Sequence, residues 1–377
     1  MTLGQLVFVV ESGTDVRLVE GLAERAKLSI LARRIPGGVE ISQVPARPVP
    51  TVVGPASRAG FARLAWRTLR RLGPADRVIV QGYGAAALAA NTVSRLTGTP
   101  TFMLVCSPVE RYYACRRGRA SPGKPFRRRE LAALGAVARL NTLVGRHYVV
   151  LSQHLGDIVR AHGARQPVSV IPVYGVDTAV FAPATLPRDA LRQRRGLPAT
   201  GAIVFFSSRV APEKDAETML AATRRLLDQG RDLWLLHRSG GYREFLAAAG
   251  RAGVTQRVIA TDATHPRRGL AEDYQASDLC VQASREEGLG FSPLEALACE
   301  VPVVASAVGG LRETIVDGRT GWTYPAGDEA ALAGAIEHVL GNAAEARRRA
   351  QAGRALVRER FERGVVFTRL MEVLAAG

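Results

Sequence analysis

Residues 287–295 read EGLGFSPLE, and this stretch decides how the surrounding chain is expected to fold. The apolar run Leu279–Ala283 before it predicts a short buried strand. After it, Ser292 is a typical N-cap residue and Pro293 a typical first helical residue, so the sequence predicts a helix that starts there. A strand, a glycine-flanked turn and a helix in this order are typical of a parallel α/β sheet.

The two ends of this stretch, Glu287 and Glu295, are candidate ligand-binding residues. Glu287 closes the predicted strand and Glu295 lies in the first helical turn, with free backbone N–H groups between them. Such a layout suits a polyhydroxylated, phosphorylated ligand, because N–H groups bind anionic oxygens and carboxylates bind sugar hydroxyls. A purely structural alternative remains open. Residues 292–295 fit the capping-box pattern, and Glu287, which follows Glu286, can equally be a solvated loop acid.

Length and composition are those of a globular protein with two domains. The chain has 377 residues, of which 47% are hydrophobic and 23% charged, enough for two separate cores. No apolar run approaches the roughly 18 residues that suggest a membrane-spanning helix. Leu6–Val10 is interpreted as a buried strand rather than part of a signal peptide, which favours a cytoplasmic protein. The four cysteines show no metal-binding spacing, and no metal or cofactor is implied.

Short apolar segments alternate with helical ones, which predicts an α/β fold of two doubly wound parallel sheets. The predicted strands are Leu6–Val10, Leu28–Ala32, Arg77–Gln81, Thr101–Val105, Tyr148–Leu151, Ile203–Ser207, Leu233–Leu236, Val258–Ala260, Leu279–Ala283 and Val301–Ala305. A proline-rich connection and a basic stretch place the boundary near residues 181–195. The predicted domains are residues 1–183 and 184–357, with a final helix at 358–377. Ligand is expected at the carboxyl ends of the strands, in a cleft between the domains.

Three motifs, in this order, resemble the donor-binding half of glycosyltransferase family 4, the retaining glycosyl transferases group 1 of the two-domain GT-B fold. They are Val170–Thr178 (VIPVYGVDT), Ser208–Lys214 (SRVAPEK) and residues 284–328. The third motif contains the Glu287–Glu295 pair, followed by a Val-Gly-Gly turn at Gly309 and Gly310. The resemblance implies two Rossmann-like domains facing across a cleft, with the C-terminal helix crossing back to the first. The N-terminal portion, which binds the acceptor in this family, matches in layout only.

The resemblance assigns roles to residues of the second domain. Arg209 and Lys214 would bind the two phosphates of a nucleotide-sugar donor, which agrees with their place after a predicted strand; a solvated loop is the alternative. Glu295 would bind the ribose and Glu287 the transferred sugar. Catalysis is thus expected to depend on Glu287, Arg209 and Lys214. The backbone N–H groups that would face sugar and phosphate oxygens belong to Gly288, Leu289, Gly290 and Phe291.

The family transfers its sugar with retention and without a metal, and the departing phosphate takes the proton of the acceptor. The resemblance therefore implies a metal-independent hexosyltransferase, with UDP favoured over GDP or ADP and with His265 beside the base. Two features of the first domain depart from the family. Cys106 stands where many members carry a histidine near the donor sugar, and the glycine loop after the first strand is reduced to Gly13. In the second domain, His237 and Arg238 would either reach the phosphates or be exposed.

Part of the formal net charge of +17 is concentrated in the segment Arg116–Arg129, which contains seven basic residues and no acid. Such a loop suits an anionic membrane or a phosphorylated acceptor, and a solvated surface loop is the alternative. Nucleic acid is disfavoured because no aromatic-interleaved groove accompanies the charge. The expected partners are therefore a nucleotide-sugar donor, a hydroxyl acceptor that is lipid-linked or phosphorylated, and the inner face of a membrane.

Three other functions remain open at this point. A phosphorylase or epimerase of the GT-B fold would use the same cleft. A nucleotide-sugar sensor or scaffold would retain the donor site while Cys106 marks lost catalysis. A nucleic-acid binder would use the segment Arg116–Arg129, and its affinity would fall steeply with added salt.

Overall fold

A computed structural model describes residues 4–11, 13–35, 48–82, 84–108, 111–112, 114–115, 128–262 and 267–377. This part of the chain divides into two compact units. The first is drawn from Met1–Glu110, Lys124–Gly175 and Arg363–Gly377, and the second from Arg111–Gly123 and Val176–Glu362. Each unit is built on a parallel sheet with helices, so the predicted class of two Rossmann-like α/β domains is confirmed.

The first unit contains seven parallel strands in the spatial order β3-β2-β1-β4-β5-β6-β7. The strands are β1 Leu6–Val10, β2 Leu28–Arg33, β3 Thr51–Gly54, β4 Arg77–Gln81, β5 Thr101–Val105, β6 His147–Val150 and β7 Val168–Val170. Every residue of β1 and β5 is buried. A strand covered on both faces is a continuous apolar run, which explains why the sequence predicts these two strands with the correct bounds.

The second unit contains six parallel strands in the spatial order β10-β9-β8-β11-β12-β13. The strands are β8 Ala202–Phe205, β9 Leu233–Arg238, β10 Val258–Thr261, β11 Leu279–Gln282, β12 Val303–Ser306 and β13 Trp322–Tyr324. Its core joins residues of the sheet, such as Val204 and Leu235, to helical residues such as Met219 and Ile336. The order of the strands reverses between β8 and β11, and the carboxyl ends at such a reversal are where open α/β sheets bind ligands.

Fourteen helices connect these strands in the described part of the chain, besides shorter turns. They are α1 Val16–Ala23, α2 Arg58–Leu69, α3 Ala85–Thr97, α4 Arg128–Val144, α5 Gln153–Ala161, α6 Arg188–Arg195, α7 Ala216–Asp228, α8 Tyr242–Arg251, α9 Arg267–Ala276, α10 Phe291–Ala298, α11 Leu311–Thr314, α12 Glu329–Gly341, α13 Ala343–Arg360 and α14 Arg363–Ala376. None of them is both long and apolar enough to cross a membrane.

The final helix, α14, belongs to the first unit although it follows the second unit in sequence. Phe367 of α14 is fully buried against Gly21 of α1, where a Cβ would lie 2.0 Å from the Cζ of the phenyl ring. Arg363 Nη2 also donates a hydrogen bond to Glu24 Oε1 at 2.8 Å. The predicted return of the C-terminal helix to the first domain is therefore confirmed.

Three strands were not predicted, namely β3, β7 and β13. β3 and β7 are the two edge strands of the first sheet, and most of their residues are only partly buried. β13 is an edge strand of the second sheet and has three residues. Edge strands are covered less completely than central ones, so their sequences lack the apolar run that marks a central strand.

Candidate functional site

The loops that follow β8 and β11 form a polar cluster in the second unit. The two strands are adjacent and parallel, so both loops leave the same edge of the sheet. A short 3₁₀ turn, Pro212–Lys214, lies in the first loop, and the carboxylate of Glu287 lies in the second. The loops are tied together by a backbone hydrogen bond of 2.8 Å from Arg285 N to Glu213 O. Lys214 Nζ donates a hydrogen bond to Glu287 Oε2.

The carboxylate of Glu287 is held by more than one donor. Besides Lys214, Ser284 Oγ donates to Oε2 at 3.1 Å and Gln282 Nε2 donates to it at 3.2 Å. Gln282 is in turn oriented by Ser208 Oγ, which donates to its Oε1 at 3.0 Å. Glu287 is 6% exposed, so the solvated alternative for this residue is wrong. Three donors on one oxygen fix the orientation of the carboxylate.

The second carboxylate oxygen faces Tyr112, a residue that the sequence analysis missed. Tyr112 OH donates to Glu287 Oε1 over 3.4 Å, a long hydrogen bond across 175 residues of sequence. Burial, followed by the negative charge of Glu287, raises the pKa of Tyr112 well above its usual value. The phenol therefore stays protonated and remains a donor. Nothing in the sequence around Tyr112 signals this contact, because it joins two distant segments.

The two predicted phosphate-binding cations have different surroundings. Lys214 is largely buried beside Glu287, with 13% of its side chain exposed. Arg209 is 66% exposed, and its Nη2 lies 3.6 Å from Oε1 of Glu213, a carboxylate that is fully buried. The solvated-loop alternative is therefore wrong for Lys214. The structure places Arg209 on the same loop but does not bring it into the hydrogen-bonded cluster around Glu287.

Asp215 anchors the turn that carries Lys214. Its backbone has a left-handed φ of 51°, uncommon for a residue other than glycine, and its side chain is fully buried. Asp215 Oδ2 accepts a hydrogen bond of 2.7 Å from Thr218 Oγ1 and forms an ion pair of 2.7 Å with Arg285 Nε. A strained conformation of this kind persists where its surroundings hold it firmly. These contacts fix the direction in which Lys214 leaves the turn.

Helix α10 begins earlier than predicted. Its N-cap is Gly290, whose φ is 90°, and the helix runs over Phe291–Ala298. The prediction that Ser292 is the N-cap and Pro293 the first helical residue is therefore wrong, as is the capping-box alternative for Glu295. Gly290 adopts a left-handed conformation that other residues avoid, and it turns the chain into the helix before Ser292 is reached. The N–H groups at this helix start lie directly after Glu287 in the chain.

Glu295 lies on α10 and is 8% exposed. Tyr274 OH donates to its Oε2 at 3.3 Å and is also hydrogen-bonded to Ser207 Oγ at 2.9 Å. Ser292 forms a further side-chain hydrogen bond with the same phenol. Burial and then the charge of Glu295 hold the pKa of Tyr274 well above its usual range. Glu295 is thus oriented by a tyrosine of α9.

The two glycines of the Val-Gly-Gly turn contact the backbone of the Glu287 loop. Gly310 N donates to Glu287 O at 3.0 Å. A Cβ on Gly309 would lie 2.1 Å from Glu287 O, and one on Gly310 would lie 2.2 Å from Gly288 O. Gly309 also has a left-handed φ of 46°. Glycine is needed at both positions because the two backbones approach too closely for any side chain.

The alternative that His237 and Arg238 are exposed is wrong. His237 is fully buried, its Nδ1 is hydrogen-bonded to Phe206 O at 2.8 Å, and its ring stacks on Phe245 with centroids 3.9 Å apart. Burial lowers the pKa of His237 to about 4, so the ring is neutral. Arg238 Nε lies 3.4 Å from a carboxylate oxygen of the buried Asp273. The base-contacting candidate His265 lies outside the described residues, as do Arg116 to Arg127 of the basic segment.

The first-unit candidates, Cys106 and Gly13, lie after β5 and β1. Burial raises the pKa of the Cys106 thiol to about 12, and the thiol is hydrogen-bonded to Tyr174. It therefore stays protonated and uncharged at neutral pH. Gly13 is exposed, and its carbonyl accepts a hydrogen bond of 3.2 Å from Gln81 Nε2 at the end of β4. Among the described residues no group of three or more His, Cys, Asp or Glu side chains is arranged to hold a metal ion.

The second unit matches a known protein family. The profile of glycosyl transferases group 1 matches residues 187–356. The 2-deoxystreptamine glucosyltransferase of Streptomyces kanamyceticus is 31% identical over 300 residues, which are 78% of this chain and 75% of that protein. The chain belongs to the glycosyl transferases group 1 family. The predicted resemblance is thereby confirmed at this level, and so is the prediction of a glycosyltransferase enzyme.

Two D-inositol 3-phosphate glycosyltransferases extend the similarity within the glycosyl transferases group 1 family. That of Xylanimonas cellulosilytica is 35% identical over 213 residues, which are 54% of this chain and 50% of the relative. The chain thus spans half the length of that relative. The enzyme of Acidothermus cellulolyticus is 30% identical over 326 residues, 82% of this chain and 70% of that protein.

Solved structures with the same fold cover nearly the whole chain. Sucrose-phosphate synthase from Thermosynechococcus elongatus has a TM-score of 0.79 at 21% identity, and covers 99% of this chain and 100% of its own. HepE of Anabaena in complex with UDP-glucose has a TM-score of 0.74 at 17% identity, with the same coverage. At these identities the comparison establishes the fold of a group 1 glycosyl transferase and nothing finer.

Proposed function

We propose that this group 1 glycosyl transferase moves a hexosyl group from a nucleotide-diphosphate sugar to an acceptor hydroxyl, with retention and without a metal ion. The observation that carries the proposal is the hydrogen bond between Lys214 and Glu287 at the carboxyl ends of β8 and β11. It joins a cation suited to phosphate and a carboxylate suited to sugar hydroxyls, next to the N-terminus of α10.

The diphosphate would be bound by cations on the loop after β8. Lys214 has three N–H donors, so it can keep its hydrogen bond to Glu287 and still donate to a phosphate oxygen. Arg209, which is mostly exposed, would supply a planar guanidinium to the second phosphate. The N-terminus of α10 adds positive potential close to Glu287. Together these groups would stabilise the negative charge that develops on the leaving diphosphate.

The sugar and ribose would be oriented by the two carboxylates. Glu287 would accept hydrogen bonds from sugar hydroxyls through Oε1, the oxygen that Tyr112 contacts at 3.4 Å. Glu295, held by Tyr274, would accept them from the ribose. A fixed carboxylate loses little entropy when a hydroxyl binds, which helps to hold the anomeric carbon in the reactive position.

In the proposed reaction the acceptor oxygen attacks the anomeric carbon from the side of the leaving diphosphate. The bond from the anomeric carbon to the phosphate oxygen breaks, and the bond to the acceptor oxygen forms on the same face. The acceptor proton passes to the departing phosphate oxygen. No protein base is required, and the residues of the Glu287 cluster act by positioning and by charge stabilisation.

The nucleotide and the acceptor are proposed from the relatives. UDP is favoured because the HepE structures are in complex with UDP and UDP-glucose, and GDP or ADP are the alternatives. The names of the curated relatives point to two acceptor classes, a phosphorylated inositol and an aminated cyclitol. Residues 1–183, with the final helix, would bind the acceptor, and residues 184–357 would bind the donor.

One observation favours a second candidate, a nucleotide-sugar-binding protein with altered catalysis. Cys106 occupies the position where many family members have a histidine, and its thiol stays protonated because its pKa is raised to about 12. A neutral thiol donates a much weaker hydrogen bond than an imidazolium. The two candidates differ in turnover: the enzyme releases free nucleotide from its donor in the presence of an acceptor, and the binding protein does not.

Association with a membrane is a separate proposal, based on the basic segment Arg116–Arg129. A cytoplasmic protein with this segment would bind the anionic inner face of a membrane electrostatically. Reversing the charge of Arg127, Arg128 and Arg129 to Glu should reduce co-sedimentation with anionic vesicles and leave nucleotide binding unchanged. Equal co-sedimentation of both proteins would make the segment an ordinary solvated loop.

The donor is tested by thermal-shift titration with UDP, GDP, ADP and TDP, each with and without Mg²⁺. A ligand that binds the folded state and is present at a concentration of 100 times its Kd raises the free energy of unfolding by about 2.7 kcal/mol. We expect UDP to raise the melting temperature without Mg²⁺. If no nucleotide stabilises the protein, the donor site and the proposed activity are both wrong.

A further inference from the structure

Two nearly buried side chains of the first unit carry oxygen atoms that receive no hydrogen bond from the described residues. They are Glu11 Oε1 and Gln81 Oε1, and these residues are 8% and 9% exposed. The buried hydroxyl oxygen of Thr14 also has no hydrogen-bond partner among the described residues. A buried polar atom without a partner is unfavourable, so such atoms in a native fold call for a partner that the described residues do not supply.

These atoms belong to neighbouring positions at the carboxyl ends of β1 and β4. The two strands are parallel and adjacent, and Val10, the residue before Glu11, is paired with Gln81. Gln81 Nε2 donates to Gly13 O at 3.2 Å, which holds the amide beside the loop that contains Glu11 and Thr14. A Cβ on the exposed Gly13 would meet no atom within 4 Å, so this loop borders open space.

The carboxylate of Glu11 also lies at the N-terminus of helix α3, where backbone N–H groups would otherwise bind an anionic ligand. Helix α3 starts after Gly84 without a side-chain cap, and Ala86 N donates instead to Glu11 Oε2 at 3.4 Å. A Cβ on Gly84 would lie 1.7 Å from the same oxygen. A carboxylate at this helix start repels a phosphate that would otherwise be favoured there. Arg58 Nε lies 3.9 Å from Oε1, on a side chain that is 65% exposed.

The chemistry of these atoms restricts what can bind. A carboxylate oxygen and an amide oxygen accept hydrogen bonds and donate none. A suitable ligand must therefore present O–H or N–H groups. An anionic group would be repelled by the carboxylate of Glu11. Of the two acceptor classes under consideration, a phosphate is disfavoured at this position, while a polyol or an aminated polyol is favoured.

We propose that Glu11 and Gln81 bind hydroxyl or ammonium groups of a polyol acceptor, and that they exclude an acceptor phosphate from the start of α3. This inference rests on the proposed function, because it names the acceptor class for the same transfer. Neutral and aminated polyols share the recognition chemistry, and the experiment separates them.

The test is isothermal titration of the full chain, saturated with UDP, with inositol, 2-deoxystreptamine and inorganic phosphate. We expect at least one polyol to bind and phosphate not to compete with it. Glu11→Gln keeps the shape of the side chain and removes its charge. It should raise the Kd of the polyol about tenfold or more, since hydrogen bonds to charged groups contribute about 1.5–3 kcal/mol, and by more for 2-deoxystreptamine than for inositol.

Two further variants make the outcome decisive. Gln81→Leu removes the second acceptor oxygen and should weaken polyol binding as well, whereas Glu372→Gln changes an exposed carboxylate of α14 and should not. Melting temperatures with and without UDP show that each variant is folded. If UDP stabilises the protein but no polyol binds, or if Glu11→Gln and Gln81→Leu leave the Kd unchanged, this inference is wrong while the donor site stands. If UDP does not stabilise the wild type, the proposed function fails first.

Discussion

Lys214 and Glu287 are separated by 73 residues in the sequence, yet they form one hydrogen-bonded ion pair at adjacent strand ends of the second unit. Both side chains are largely buried. Burying two charges is unfavourable unless good geometry and further hydrogen bonds compensate. Gln282 and Ser284 provide those additional bonds to the carboxylate. A pair retained under these conditions is a candidate for function, because stability alone does not require it.

Replacing Lys214 tests its assignment to the diphosphate. Lys214→Ala should abolish the stabilisation by UDP and should also lower the free energy of unfolding by about 1–3 kcal/mol, because Glu287 keeps its three neutral donors but loses its cation. Thermal-shift titration and urea unfolding measure the two effects. Lys27→Ala, at an exposed lysine, is the control. If Lys214→Ala binds UDP as tightly as the wild type, Lys214 is not a phosphate ligand.

Glu287→Gln tests the role of the carboxylate in turnover. The amide is nearly isosteric but uncharged, so it should bind UDP while donor turnover falls by about 100-fold or more. Release of UDP from UDP-glucose, with and without acceptor, is the measurement. Glu359→Gln, at an exposed position of α13, should retain full turnover. Unchanged turnover in Glu287→Gln would remove Glu287 from the catalytic residues.

Gly309→Ala tests the close approach of the Val-Gly-Gly turn to the Glu287 loop. The new methyl group would lie 2.1 Å from Glu287 O, at a residue with a left-handed φ. We expect a loss of about 1–3 kcal/mol in the free energy of unfolding and weaker binding of the donor. The matched control is Gly334→Ala on α12, where a Cβ would meet no atom within 4 Å. This substitution should stabilise the helix by about 0.5–1 kcal/mol. A neutral effect at Gly309 would show that the loop has room to move.

The buried His237 predicts a loss of stability in mild acid. Because its pKa is lowered to about 4 in the folded state and is about 6.5 in the unfolded state, the unfolded chain binds the proton first. The free energy of unfolding should therefore fall by up to about 3 kcal/mol as the pH decreases from about 6.5 to 4. Urea unfolding at pH 7 and pH 5 measures this, with His237→Asn as the variant. If wild type and variant show the same pH dependence, His237 does not contribute it.

The fold was largely predictable because central strands are continuous apolar runs. Leu6–Val10 and Thr101–Val105 have the bounds that the sequence predicts. The predicted start of α10 was wrong because Ser292 and Pro293 carry strong helix-start preferences, whereas the actual N-cap, Gly290, has a φ of 90° and close neighbours that leave no room for a side chain. Leu311, for example, packs where a Cβ on Gly290 would lie, 2.5 Å from its Cδ2.

The residues of the candidate site that belong to sequence motifs were predictable, whereas residues that contact them from other segments of the chain were not. Glu287, Lys214 and the glycine turn were found from spacing and from family resemblance. Tyr112 and Tyr274 were missed, because each orients a carboxylate that lies in a different segment of the chain. Glu11 was missed for a similar reason: its burial follows from the pairing of β1 with β4, which brings the start of α3 to it.

The position of Phe367 against Gly21 has a consequence for biosynthesis. A ribosome releases the first strands and α1 hundreds of residues before α14, so the nascent N-terminal sheet lacks the phenyl ring that covers Gly21. The second unit can acquire its own core in the meantime, since its residues up to Glu362 precede α14. Maturation of the first unit then awaits the synthesis of α14. Nascent chains stalled before residue 363 should accordingly show a protease-resistant second unit and a protease-sensitive first one.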